Sequence, residues 1–321
     1  MRPPIFSLLL AFAGMLHAAE PATAFHPWSS VEKFDVEKLA HGRIATMCNG
    51  SMSFARGISA QAVFIVNATP EAALRALLTS DPTKRPEQET YQRPVFHSEQ
   101  DAGFTKLKLD PKIPAVRRLL DAMRQREDLH LSREETALLP KGDNLEDAQR
   151  FWAGTLAQRW TQWTQRGELR ATEAFDVRSE IASLLKEEPK LAQHFATLLT
   201  PFTQPSPPGP PTQHYWDTSS VNHTAALALG TLYTRATEGR TQVLDLTYYA
   251  SSGYLTSITL YEMLPITLAG QPRTLVWEAC LVSAPALAGG FGVKKAIGSR
   301  LMVGDLEKSI RFFQQDAAAL R

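Results

Sequence analysis

Ile58-Ser59-Ala60-Gln61-Ala62-Val63-Phe64-Ile65-Val66 runs directly into Asn67-Ala68-Thr69-Pro70-Glu71. The first stretch is rich in β-branched and aromatic side chains, which suit a pleated surface, so it reads as a strand. Thr69 is placed to cap a helix that begins at Pro70, the helical position where a missing N–H costs nothing. Leu74, Leu77 and Leu78 then give that helix one apolar face up to about Thr79. Near the other end, Thr274-Leu275-Val276-Trp277-Glu278 opens a strand that reaches Ser283. Beyond a glycine-containing loop, Leu306, Ile310, Phe313, Ala317 and Leu320 fall on one helical stripe, with Asp305 as its N-cap.

Between these ends the character of the chain changes twice. Residues 31–39 suit a short amphipathic helix, and residues 91–97 and 104–109 alternate as strands do. Residues 111–200 are helical: Ser132 and Glu135 stand at capping-box spacing. Leu145, Ala148, Trp152, Leu156, Trp160 and Trp163 recur at steps of three and four before Gly167. The tryptophan stripe fits either packing between helices, which the spacing alone predicts, or docking of a partner. Residues 201–213 carry prolines at a density that prevents helix and central strand. After them, residues 225–235, 242–250, 254–263 and 273–283 are four strand-like runs joined by short turns, as in an antiparallel meander.

Composition limits the function classes. The chain has 321 residues, 44% hydrophobic, and a net charge of +1. That balance argues against a dominant nucleic-acid role, which needs a basic face to neutralise phosphates. Arg2, an apolar run over residues 5–16 and the small-residue site Leu16-His17-Ala18-Ala19-Glu20 read as a cleaved signal peptide over residues 1–19. The run is too short to cross a bilayer of roughly 30 Å, which takes about 20 residues in a helix. A soluble mature protein, periplasmic or secreted, is therefore expected, with no transmembrane segment and an undetermined oligomeric state. Cys48 and Cys280 could form one disulfide in such a compartment, although two separate thiols are the favoured expectation.

The order strand, helix, short strands, helical insertion, four-stranded run and C-terminal helix resembles the START-like superfamily, also called helix-grip or SRPBCC proteins. The resemblance lies in the stretch from Ile58 to Leu78 and in the last hundred residues, where the strand at Thr274 and the helix at Leu306 look like that family's last strand and gripping helix. It implies an α+β fold, a curved antiparallel sheet gripping a long C-terminal helix. The START-like domain would comprise residues 20–110 and 214–321, interrupted by a helical insertion at 111–200 and a proline-rich linker at 201–213. It also implies a cavity between sheet and helix that binds apolar small molecules or lipids, and it transfers no catalytic residue.

The candidate ligand-binding residues are Tyr248, Tyr254, Tyr261, Trp277 and Glu278 on the β run, since aromatic side chains line cavities for small apolar ligands. The same rings could fill an ordinary core. An enzyme working inside the cavity through Glu278 or Tyr248, and an envelope interaction module docking through the helical block, are the alternatives. His214-Tyr215-Trp216-Asp217 with His223 is a polar-aromatic cluster whose spacing matches no metal motif, and it is expected in a loop. Gly289-Gly290-Phe291-Gly292-Val293-Lys294-Lys295 lacks the Gly-Lys-Ser/Thr end of a phosphate loop. No cofactor and no metal site is expected.

Overall fold

The strand expected at Ile58 is β2, Gly57–Val66, and every residue along it is buried. A strand buried on both faces reads as a near-continuous apolar run, so β2 must lie inside a sheet covered on both sides. The computed structural model describes residues 25, 27–31, 33–49, 52–167, 170–203, 211–237, 239–289 and 293–320. The signal-peptide segment and the centre of the proline-rich stretch lie outside the described residues.

In chain order the elements begin with α1 (Val36–Ala40), β1 (Ala45–Asn49), β2, α2 (Pro70–Thr79), β3 (Thr90–Gln92) and β4 (Val95–Phe96). The helical block follows as α3 (Pro114–Gln125), α4 (Arg133–Ala137), α5 (Leu145–Arg166), a small hairpin of β5 (Arg170–Thr172) and β6 (Phe175–Asp176), then α6 (Val177–Glu187), α7 (Pro189–His194) and α8 (Ala196–Thr203). The chain closes with β7 (Gln213–Val221), β8 (Thr224–Thr237), β9 (Arg240–Ala250), β10 (Thr256–Leu268), β11 (Gln271–Ser283) and α9 (Val293–Ala319).

The protein is α+β. Nine strands form one antiparallel sheet in the order β1-β2-β11-β10-β9-β8-β7-β3, and β4 also pairs with β7. The early and late parts of the chain join between β2 and β11, second and third from the β1 edge, where Val63 faces Trp277 and Phe64 faces Val276. Strands β8 to β11 are the expected meander, each longer than the sequence runs implied. Between Leu229 and Gly230 the β8–β9 register shifts, and such a bulge bends and twists the strand that carries it.

Alternation along the strands sends side chains to two separate cores. Ala60, Ala62, Phe64, Val66, Met263 and Val276 face α2 and α9, where Leu306, Ile310, Phe313 and Ala317 are buried against them. Ile310 and Phe313 each contribute about 1.5–3 kcal/mol by this burial. On the opposite face Val63, Leu244, Leu246, Tyr248, Leu275 and Trp277 meet the helical block and the N-terminal Phe25 and Trp28. The tryptophan stripe of α5 belongs to this second core: Trp152 and Trp163 are fully buried, and Trp163 stacks on Tyr248 at 4.7 Å.

Several local caps match their sequence signals. Thr69 accepts from the Ala72 N–H, Ser132 and Glu135 form a capping box, and Gly167 ends α5 at φ 62°. Four expectations need correction. Residues 104–109 form a 3-10 turn at Phe104–Lys106 rather than a strand; Phe104 and Leu107 serve as plugs in the second core. The segment from His214 to Asp217 is strand, not loop, because β8 is there to pair with it. The region 31–39 is helical only in α1, which Asp35 caps. The last helix starts at Val293, well before Asp305, and runs through Gly298 and Gly304. At Gly298 an added Cβ would lie 3.3 Å from Leu287 and 3.6 Å from Ile58.

Cys48 and Cys280 are both free thiols. Each lies opposite Ala60, one on each side of β2. Two strand spacings, roughly 9–10 Å, separate them, beyond the roughly 7 Å that a disulfide spans. Among the described residues, no helix is long and apolar enough to cross a membrane.

Candidate functional site

Sheet and C-terminal helix meet tightly at Ile310 and Phe313 but separate toward the N-terminal half of α9. There they leave a cleft-like cavity of about 860 Å³. Leu77 and Leu78 of α2 and Met302 and Leu306 of α9 form its apolar wall. Ile297 and Leu301 of α9 stand at its exposed rim with Lys294 and Asp305. The sheet supplies the opposite wall. Its size lies within the range of small-molecule sites, which combine a mostly apolar lining with a few placed polar groups.

The polar groups come from alternate positions on three adjacent strands. Asp245 on β9, Thr259 on β10 and Cys280 on β11 form one cross-strand row. Tyr261 and Glu278 are directly opposed in the next row. All five line the cavity. Glu278 is 4% exposed, and burial, together with the nearby Asp245 carboxylate, pushes its carboxyl up to about 8, against the pull of the Tyr261 hydroxyl. Burial likewise raises the Tyr261 hydroxyl well above its ordinary range, with Glu278 adding to it. The Cys280 thiol is pushed up to about 11, first by burial, so it is a poor nucleophile near neutrality.

At one end of the cavity is a tighter construction. Arg93, in the short connection between β3 and β4, places Nη1 3.0 Å from Asp217 and Nη2 3.8 Å from Asp245. Its guanidinium lies over the Tyr215 ring at 3.7 Å, a cation–π arrangement. The Tyr215 hydroxyl donates to Asp245 Oδ1 at 2.8 Å and lies 3.0 Å from Thr247 Oγ1. Burial raises the carboxyls of both Asp217 and Asp245, and Arg93 opposes it in each case. Tyr215 lies flat against the backbone because Gly230 has no Cβ; one added there would fall 2.0 Å from the ring.

Of the five residues singled out from sequence, Tyr254, Tyr261 and Glu278 line the cavity. Tyr254 does so from the turn before β10 rather than from a strand. Tyr248 and Trp277 are on the opposite face. They differ by odd steps from Asp245 and Glu278 on the same strands, and a side chain one residue away points to the other side. Tyr248 is stacked under Trp163. Trp277 donates its indole N–H to Ser29 Oγ at 3.0 Å and meets Trp28 edge-on. Neither reaches the cavity. Sequence reasoning missed Arg93 and the role of Tyr215. The signal lay in β7, whose alternation from Tyr215 to Asp217 shows once it is read as strand.

A second polar cluster lies on the far face. His194 Nε2 is 2.6 Å from Glu262, which also accepts from Arg240 and Gln242 at 2.9 Å each. His194 stacks on Trp28 at 4.1 Å. The cluster fastens α7 to the sheet. Among the described residues, no group of three or more His, Cys, Asp or Glu side chains is arranged to hold a metal ion.

No protein-family model matches the chain, and no curated protein matches it. Among solved structures, a START superfamily protein from Mycobacterium smegmatis is similar to 33% of this chain and 67% of its own chain, at 15% identity and a TM-score of 0.23.

Proposed function

We propose that this chain is an exported START-like protein that binds an apolar small molecule or lipid in the cavity between its sheet and α9. The observation that carries this is the cavity of about 860 Å³ in the place where the helix would otherwise close on the sheet. A filled interface would have been the more stable arrangement, since each lost methylene contact weakens packing and a void leaves its lining without partners. An apolar wall opposite a short row of polar groups suits an amphiphile better than a free polar metabolite. Export is supported by the pattern of residues 1–20 in the sequence.

The test uses protein recovered from the envelope of its source cells. Native mass spectrometry before and after organic extraction should show an adduct of a few hundred daltons that extraction removes. The Cys280→Trp variant, which fills the cavity from β11, should lack it. Sequencing of the same material should find Glu20 as the first residue. An unchanged mass after extraction, with no uptake of a fluorescent fatty-acyl probe by the apoprotein, would sink the binding role. An enzymatic role has no geometric support beyond Glu278 and Tyr261 themselves.

A further inference from the structure

At and beside the sheet wall of the cavity, the carboxyl groups of Asp217, Asp245 and Glu278 stand with the guanidinium of Arg93. Asp217 and Asp245 share Arg93. Glu278 is left out: among the described residues, no ion pair reaches it within 4.0 Å. Yet it is 4% exposed and lines the cavity. A carboxyl group in such a place is costly unless something pairs with it.

What faces Glu278 is known from every side. On β2 its cross-strand partner is Ala62, which offers no polar atom. On β10 it meets Tyr261, and two residues along β11 lies Cys280. Asp245 on β9 is near enough to act on it through charge. Across the cavity α2 presents Leu77 and Leu78, and α9 presents Leu306 and Ser309, with Lys294 and Asp305 at the rim. The Tyr261 hydroxyl is thus the polar partner of the carboxyl; the other groups close to it are small, apolar or acidic, and the cations of the lining are Arg93, held by Asp217 and Asp245, and Lys294 at the rim.

We propose that the cavity takes an amphiphile bearing a cationic amine, its ammonium group seated between Glu278 and Asp245 and its hydrocarbon part against α2 and α9. The assignment rests on the cavity being a ligand site, and names the class of ligand. The protein already shows what this wall accepts, because it holds the Arg93 guanidinium between two carboxylates and over a tyrosine ring. Tyr261, opposite Glu278, lines the same cavity. An anionic amphiphile would bring its charge against Asp245 and Glu278. A neutral alcohol would satisfy the hydrogen bonding but leave the charge unmatched.

Binding carries a proton with it. In the empty cavity burial holds the Glu278 carboxyl up at about 8, so below that pH it carries its proton. Seating an ammonium group breaks the carboxyl O–H bond, releases the proton to solvent and forms an ammonium–carboxylate pair. Affinity therefore climbs as pH rises, by roughly tenfold per unit for one proton, and levels off near 8. It falls again only when the amine itself deprotonates, at about 10 for a primary alkylamine of lysine type.

The test titrates dodecylamine, dodecan-1-ol and dodecanoate, by calorimetry, into the delipidated full mature chain. At pH 8 dodecylamine should bind at least tenfold more tightly than the alcohol, and dodecanoate most weakly. Between pH 6 and 8 only the amine should gain affinity. Glu278→Gln should bring the amine to the level of the alcohol and remove its pH dependence. If the three probes bind equally, or dodecanoate binds best, the amine assignment is overturned while the cavity remains a ligand site. If none binds, the binding role proposed above fails with it. Should Glu278→Gln not fold, the pH profile of the unaltered protein decides: a flat profile for the amine overturns the assignment.

Discussion

A single missing Cβ supports the polar end of the cavity. Gly230 lies under the Tyr215 ring, which carries the Arg93 guanidinium on its face and donates its hydroxyl to Asp245. Gly230→Ala would place a methyl group 2.0 Å from Tyr215 Cζ, a distance that no rotamer adjustment of the methyl itself relieves. The ring must lift, and the hydroxyl and the guanidinium platform move with it. Overpacking of this kind costs about 1–3 kcal/mol, and loss of the Tyr215–Asp245 hydrogen bond to a charged group adds about 1.5–3 kcal/mol. Urea denaturation should therefore find Gly230→Ala less stable by at least 2 kcal/mol. Tyr215→Phe, which keeps the ring and loses the hydroxyl alone, should fall between it and the unaltered protein. Much of this end was hidden from sequence reading for a simple reason: Arg93 comes from a short edge connection, and it meets Asp217 and Asp245 from strands far along the chain. No local period reports such a meeting. Aromatic content singled out Tyr261, Tyr248 and Trp277 alike; Tyr261 opposes Glu278 in the cavity, whereas Tyr248 and Trp277 lie on the other face of the sheet.

At the scale of elements, what was legible followed from repetition. The strand–cap–helix unit from β2 to α2, the tryptophan-bearing α5 and the meander from β8 to β11 each repeat a period long enough to be read. The first turns of α9 were not legible, because Gly298 and Gly304 interrupt the apolar stripe and Val293, Ile297 and Leu301 stay exposed. The helical block shows a different dependence, since α4 and α5 are fastened by a buried ion pair. Arg159 of α5 donates Nε to Glu135 Oε1 at 3.0 Å, donates Nη1 to the Arg170 carbonyl at 2.7 Å and lies over Tyr249 at 4.2 Å. Glu135 is also the capping-box residue of α4. One guanidinium thus ties α4, α5, β5 and the central sheet together. Arg159→Met leaves Glu135 buried without its partner and should destabilise the protein by about 3–5 kcal/mol. Adding Glu135→Gln, which keeps a hydrogen-bonding group for the Ser132 cap and removes the unpaired charge, should recover part of that loss. A double-mutant cycle by urea denaturation measures the coupling; additive effects would mean that the pair does not join the elements.

Across the whole molecule, the two cores carry titratable groups that pull stability in opposite directions with pH. On the helical-block side His214 packs against Phe96 at 5.5 Å and Trp160 at 5.7 Å, and its Nδ1 has no hydrogen-bond partner. Burial lowers it from 6.5 to about 4. Between those values the unfolded chain binds the extra proton, so the stability contribution present above about 6.5 is lost as pH falls toward 4. On the cavity side Glu278 is raised from 4.5 to about 8. Here the native state binds the extra proton, and its contribution, full below 4.5, is lost as pH rises toward 8. Asp217 and Asp245, both raised by burial, act in the same direction as Glu278. From 4.5 to 6.5 the slopes of His214 and Glu278 oppose each other; above 6.5 that of Glu278 continues without His214. The apoprotein should accordingly lose about 2 kcal/mol between pH 6.5 and 8, the one-proton slope of about 1.4 kcal/mol per unit over that interval. Urea denaturation across pH 4 to 8.5 checks this. Glu278→Gln should flatten the alkaline side, and His214→Phe, which keeps a ring between Phe96 and Trp160, should flatten the acid side. A bound amphiphile that pairs with ionised Glu278 should also abolish the alkaline loss, because the carboxylate would then be stabilised in the native state alone. An alkaline slope that survives both Glu278→Gln and ligand would place its origin elsewhere in the fold.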